Sequence, residues 1–309
     1  MRQWVARMAS FWANARKGGA LLRRWIEERR SAGQPARMTA YIPIPQMQRS
    51  HGAASVSFEL HGGRVRLRDL AQAGSAKVLL PHGGAVPEVV FLNTSGGLTG
   101  GDRLSYRIGL GAGVRAVATT QTAERAYRAA AGMALVSVVA TVGDGGWLDW
   151  LPQETILFQA SALHRSTRID LGAGAGCLVL ESVVLGRTAM GEVVDHLTFR
   201  DRREIWRRGA PVIIEPFGLN DAALRAGAAV LDGSRAFASL ALVAQGAEDA
   251  LAAVRAVLDE TGVQAAASGW DGRLTLRLAA ADGWPLRRQI LRVVGVLQQG
   301  RALPRVWQL

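Results

Sequence analysis

The sequence predicts a mainly β fold of the α+β class, with solenoid-like stacked sheets, two helices in the C-terminal third and a basic helix at the N-terminus. Three observations predict it. Short alternating segments rich in β-branched residues recur between residues 54 and 185. Gly-x-Gly turns punctuate them at 110–113, 142–145 and 171–174, with starts 32 and 29 residues apart. After residue 236 the order becomes strand, helix, strand, strand, helix.

Residues 1–30 place Trp4, Met8, Phe11, Ala15, Leu22 and Ile26 on one helical stripe with arginines on the other faces. Eight of these thirty residues are Arg or Lys against Glu27 and Glu28, so this segment carries half of the formal net charge of +12. Three readings stand for it: a helix lying on a membrane surface, a partner-binding helix, or an extension without a function. It has no apolar stretch of the ~7–15 residues that a secretory signal needs. Residues 31–50, with Pro35, Pro43 and Pro45, read as an extended linker. The folded domain is expected over 51–309.

Strands are expected at 54–60 and 64–68 around the hairpin signal Gly62-Gly63, then at 76–80 and 88–92. Strands at 105–110, 135–142 and 167–171 precede the three Gly-x-Gly turns, and strands at 114–120, 147–151 and 177–185 follow them. A strand–turn–strand unit recurring at ~30 residues fits a stacked β-solenoid or a meandering sandwich. Three ordinary hairpins would produce the same pattern. The last third adds strands at 236–244, 263–267 and 273–279. It also adds a helix over 248–261, with Leu251, Val254 and Leu258 on one face, and a second over 284–299 that buries Leu286, Ile290, Val293, Val294 and Leu297.

Composition bounds the function. Hydrophobic residues make up 49% of the 309, enough for a sizeable core. No apolar run reaches the ~18 residues of a membrane span. The single cysteine, Cys177, excludes an internal disulfide and suits a reducing compartment. It lies in an apolar strand, where an inert buried thiol is expected. No Gly-x-Ser-x-Gly occurs, and the five histidines are too scattered for a zinc-type cluster.

The most constrained stretch is Asn-Thr-Ser-Gly-Gly-Leu-Thr-Gly-Gly-Asp at 93–102. Read as an enzyme, the chain would use this glycine-rich loop, 96–102, on a nucleotide. Asp102 and Arg103 stand where a phosphate-binding loop needs Lys and Ser or Thr, which argues against that use. Residues 111–116 match the dinucleotide pattern, but a strand follows where the pattern requires a helix. Turn chemistry accounts for both.

Three acids occupy unusual settings: Asp102 closes the glycine loop, while Glu181 and Glu215 sit within apolar strands. A carboxylate buried there needs a partner, a proton or a metal. Oxygen donors of this kind suit divalent ions.

Taken together, the glycine loop at 93–102, Thr-Thr-Gln-Thr-Ala-Glu-Arg-Ala-Tyr-Arg at 119–128 and Trp-Leu-Pro-Gln-Glu-Thr-Ile-Leu-Phe at 150–158 resemble the urease accessory protein UreD (UreH) family. So do Leu-Glu-Ser-Val-Val-Leu-Gly-Arg-Thr-Ala-Met-Gly-Glu at 180–192 and Leu-Pro-Arg-Val-Trp at 303–307, in the family's order and spacing. The resemblance covers roughly 51–309, and residues 1–50 extend beyond the family's usual start. It implies a non-catalytic, cytoplasmic scaffold, a chaperone of urease maturation. Such a scaffold binds the accessory proteins UreF and UreG and docks on apo-urease, while the GTPase UreG supplies GTP hydrolysis. It implies no cofactor of its own, no nucleic-acid partner and no membrane span, with nickel(II) carried transiently along interior acids. The acids that match are Asp102, Glu181 and Glu215, with Glu124 as a fourth.

Overall fold

In the computed structural model the three Gly-x-Gly turns are arches that carry the chain from one sheet to another, not hairpins within a sheet. The structure describes residues 48–309 except 83, 85, 188, 189, 299, 300, 302 and 309. The expected basic helix of residues 1–30, and the linker as far as residue 47, lie outside the described residues.

The described chain opens with a hairpin, β1 (His51–His61) and β2 (Arg64–Gly74). Then β3 (Ala76–Leu79) and β4 (Glu88–Asn93) enter the second sheet. Three coils follow. β5 (Arg103–Leu110), β8 (Ala134–Val142) and β11 (Ala162–Leu171) lie parallel and adjacent in the first sheet. β6 (Arg115–Thr120), β9 (Trp147–Trp150) and β12 (Gly176–Leu185) do the same in the second. The short β7 (Glu124–Ala126) and β10 (Thr155–Leu157) stack with the end of β12, which puts Glu124, Thr155 and Val183 on one rung.

Beyond the coils, β13 (Thr198–Arg207) and β14 (Ala210–Asn220) close the first sheet as a hairpin. β15 (Ala236–Val243), β16 (Val263–Trp270) and β17 (Arg273–Ala280) extend the second sheet antiparallel. Antiparallel hairpins therefore cap both ends of the stack, as a solenoid requires.

The two glycines of the second arch serve different needs, and the second glycine of each arch shares one of them. Gly113, Gly145 and Gly174 have φ of 68°, 65° and 62°, where an L side chain is strained. Gly143 is needed for space instead: a Cβ there would lie 2.6 Å from the nitrogen of Ala112 and 2.7 Å from the carbonyl carbon of Gly111 in the preceding arch. The arches bond to one another through the backbone, Gly113 N–H to the Asp144 carbonyl at 2.8 Å and Gly145 N–H to the Ala173 carbonyl at 2.8 Å. A repeat that reads as turn punctuation is thus a stacked ladder.

One apolar core fills the space between the sheets. A second lies between the outer face of the second sheet and the C-terminal helices and tail. β12 is shared by both cores, which is why its sequence is apolar on both faces apart from Glu181 and Ser182. The last helix, α3 (Gly283–Leu297), starts at Asp282, whose side chain accepts from the Trp284 N–H at 2.8 Å. Leu286, Ile290, Val293, Val294 and Leu297 are all buried, as expected.

Several elements differ from expectation: β7, β10 and β13 have no expected counterpart, and two helical segments change. The helix over 248–261 is a 3₁₀ turn followed by α2 (Leu251–Arg255), and it stops six residues early. Gln289 of α3, itself fully buried, takes over the backbone beyond it. Its amide donates to the Val257 carbonyl at 2.6 Å and accepts from the Glu260 N–H at 2.9 Å. Tertiary hydrogen bonds replace the helical ones. The short α1 (Asp221–Arg225), capped by Asn220, has no counterpart among the expected elements. Among the described residues, no helix is long and apolar enough to cross a membrane.

Candidate functional site

The space between the two sheets is not apolar throughout. Inward-facing positions of β11, β12 and β13 bring Arg165, Glu181, Asp201 and Arg203 into it, all buried or nearly so. Arg165 is the centre. Its guanidinium donates to Glu181 Oε2 at 2.7 Å, Asp201 Oδ2 at 2.6 Å and Oδ1 at 3.0 Å, and Thr155 Oγ1 at 3.0 Å. Burial disfavours its charge, but Asp201 and Glu181 outweigh that and keep it protonated. Glu181 Oε1 accepts from Trp150 Nε1 at 3.1 Å and Thr167 Oγ1 at 2.9 Å, so both its oxygens are used.

Glu215 lies on β14, an edge strand that contains Pro211 and Pro216, and is only partly buried. The pattern of the sequence placed it in an apolar interior strand. Its inward face meets Arg203 in register, and its carboxylate pairs with Arg203, with Arg277 Nη2 at 2.6 Å and with Ser239 Oγ at 3.2 Å.

Asp102 is apart from this group. Its Oδ1 accepts the Ser50 N–H at 2.7 Å and its Oδ2 the Thr99 N–H at 2.8 Å, bracing the glycine loop against the start of β1. At Gly97 and Gly100 the loop is closed over by neighbours, while 94–96 are exposed. A Cβ at Gly97 would lie 2.7 Å from the Arg125 carbonyl oxygen, and one at Gly100 2.7 Å from that of Gly132. These glycines allow backbones to meet and leave no cradle for phosphate, so the nucleotide reading of 96–102 is not favoured. Asp102→Ala is expected to destabilise the fold by ~1.5–3 kcal/mol, since two backbone donors lose a charged acceptor. Urea denaturation would check this, and an unchanged midpoint would refute the bracing role.

Glu124 is held differently from the others. Asn93 Nδ2 donates to both of its oxygens at 3.3 Å, and the Arg125 N–H donates at 3.2 Å. Among the described residues no cationic side chain bridges it. Burial pushes its carboxyl up to about 7, against the lowering effect of the Asn93 bond. Burial raises the neighbouring Tyr106 hydroxyl as well, with Glu124 adding to it, so the phenol stays neutral.

These groups line three neighbouring spaces that share wall residues. A cleft of about 430 Å³ opens beside β14 and is walled by Arg165, Glu181, Asp201, Arg203 and Glu215. Arg165 and Glu181 also wall a cavity of about 40 Å³ between the sheets, together with Tyr106, Thr120 and Glu124. Those last three wall a third space of about 40 Å³, under Asn93 and Gly96. A string of cavities therefore runs along the axis of the stack, from the glycine-loop end to the edge of the first sheet. Glu124, Glu181 and Glu215 line it, and Asp102 does not.

Sequence patterns did not reveal Arg165, Asp201 and Arg203. The strand Thr-Phe-Arg-Asp-Arg-Arg-Glu-Ile-Trp-Arg at 198–207 is charged on both faces, which hid its inward set of Phe199, Asp201, Arg203 and Ile205. Alternation about Phe199 and Ile205 was the available signal. Among the described residues, no three His, Cys, Asp or Glu side chains cluster to hold a metal ion. Cys177 is fully buried, and burial pushes its thiol up to about 12.

Residues 50–308 match the family model described as UreD urease accessory protein. Among curated relatives, a urease accessory protein UreD of Cereibacter sphaeroides is 67% identical over 269 residues, spanning 86% of this chain and 98% of that protein. One from a second strain of that species is 64% identical over 88% of this chain and 100% of its own length. A Paracoccus denitrificans protein of the same name is 54% identical, over 87% of this chain and 96% of its own. With a match of this extent, on a stacked β scaffold whose interior carries the acids, the chain belongs to the UreD family of urease accessory proteins.

Proposed function

We propose that the protein is a non-catalytic scaffold for nickel insertion into apo-urease, working in the cytoplasm with UreF- and UreG-type accessory proteins, the latter supplying GTP hydrolysis. Nickel is cargo and passes through the interior of the fold. The observation that carries this reading is the string of cavities lined by Glu124, Glu181 and Glu215.

The chemistry supports passage over storage. Carboxylates offer oxygen donors to a divalent ion without the tight capture of a thiolate or imidazole cluster. Here Arg165, Arg203 and Arg277 compete for the same oxygens. A dication that takes one carboxylate from its arginine faces a freed positive charge, so each site holds it weakly. Glu124 has no such competitor and binds by releasing a proton.

In a reconstituted activation assay, Glu181→Gln and Glu215→Gln are each expected to lower urease activation more at limiting than at excess nickel, with the complex still assembling. The double variant should lose little beyond the worse single one, because residues serving one route couple. Fully additive losses, or losses that follow failure to bind the partners, would show that the two acids are structural.

A further inference from the structure

On the outer face of the first sheet, β1, β5, β8, β11 and β13 run parallel and side by side. A parallel sheet nearly always has both faces covered. The second sheet obeys this, since its outer face packs against the helices α2 and α3 and the C-terminal tail. The first sheet does not. Every outward side chain of β5, β8, β11 and β13 is at least partly exposed.

In-register stacking of the coils lines these side chains up in rungs. Arg103, Leu135, His164 and Arg200 share one rung, from β5 across to β13. Two outward rungs further on stand Arg107, Val139, Arg168 and Glu204. The outward side of β8 is thus an uncharged lane, with Leu135 and Val139 half-buried in it. Arginines flank the lane. Arg168 is taken up by Asp170 and Glu204, and Arg202 by Glu204. Arg103, Arg107 and Arg200 are exposed, and among the described residues no carboxylate pairs with them. Arg103 and Arg200 stand three strand spacings apart, ~14 Å. A helix with its side chains is ~10–12 Å across and fits between them.

We propose that this face seats an acidic amphipathic helix of a partner protein. The apolar ridge of the helix lies on Leu135 and Val139. Its carboxylates meet Arg103 and Arg107 on one flank and Arg200 on the other. A second copy docked through the same face would set arginine against arginine. A nucleic acid is disfavoured, because Asp170 and Glu204 stand on this face and the lane holds no aromatic ring to stack a base. None of these residues lines the interior cavities, so the inference does not rest on the nickel route.

The test is fluorescence anisotropy on the full chain with a labelled, hydrocarbon-stapled helical peptide that carries leucines along one stripe and glutamates on both flanks. A length of about 18 residues gives ~27 Å of helix, close to the ~30 Å of β8. Binding should saturate and should weaken as salt rises from about 50 to 300 mM. The same peptide with glutamine for glutamate should bind at least about tenfold more weakly. Arg103→Glu combined with Arg200→Glu, both at exposed positions, should cost at least about tenfold without changing the melting temperature. Arg225→Glu, on α1 and outside the face, should change nothing. Val139→Lys adds a positive charge but obstructs the lane, so it should weaken binding, whereas diffuse attraction would tighten it. The assignment would be overturned by no saturation up to about 1 mM, by unchanged binding in the double reversal, by tighter binding after Val139→Lys, or by a preference for oligo-dT of equal charge.

Discussion

Replacing Arg165 by methionine is expected to cost the fold about 3–5 kcal/mol at pH 7, the range for removing one partner of a buried ion pair. Glu181 and Asp201 would stay in place, having lost the one guanidinium among the described residues that pairs with them. Arg203 cannot substitute, because it is held by Glu215 and by the Ser239 carbonyl at 3.0 Å. Most of the loss comes from stranded charge rather than from a missing contact. Adding Glu181→Gln and Asp201→Asn to Arg165→Met should therefore recover most of it. Chemical denaturation of the single and triple variants would measure both quantities. A single-variant loss below about 1 kcal/mol would mean that water reaches the group freely.

Glu124→Gln is expected to stabilise the protein, and increasingly so as the pH rises. The folded carboxyl titrates at about 7 against 4.5 for the free group. Folding therefore favours the protonated form. That stability is fully present below pH 4.5 and is lost as the pH rises through about 7. Each tenfold change in a protonation equilibrium is worth ~1.4 kcal/mol, so the difference from glutamine reaches roughly 3 kcal/mol at about pH 8 and falls to a few tenths at about pH 4.5. Melting curves of both proteins at about pH 5 and pH 8 would show it, and an equal gap at the two pH values would refute it. On the nickel reading the same stabler variant activates urease less well at limiting nickel, so stability and function separate at this residue.

Local patterns gave away the fold, and interior pairing did not. Alternation placed the strands of the coils to within a few residues, because each buries one face at a time. The apolar run of β12 marked a strand covered on both sides. Asp102, Glu181 and Glu215 stood out by setting, but their uses differ: a loop brace, an interior ion pair and the rim of a cleft. Setting within a strand cannot distinguish these, since each depends on what a neighbouring coil presents. Arg165 and Asp201 escaped for the same reason, being 36 residues apart in sequence and bonded only because β11 and β13 are neighbours. The early stop of α2 was equally invisible, because the glutamine that ends it lies on another helix.

The stacked arches have an evolutionary consequence. Because each coil adds one strand to each sheet, whole coils can be gained or lost by duplication or deletion of about 30 residues, each moving the two ends of the molecule by one strand spacing, ~4.8 Å. The cavities follow that axis, so each coil gained or lost changes the length over which they extend by one strand spacing. Lineages facing targets of different depth could adjust reach in fixed steps while keeping both end hairpins, and whatever binds them, unaltered.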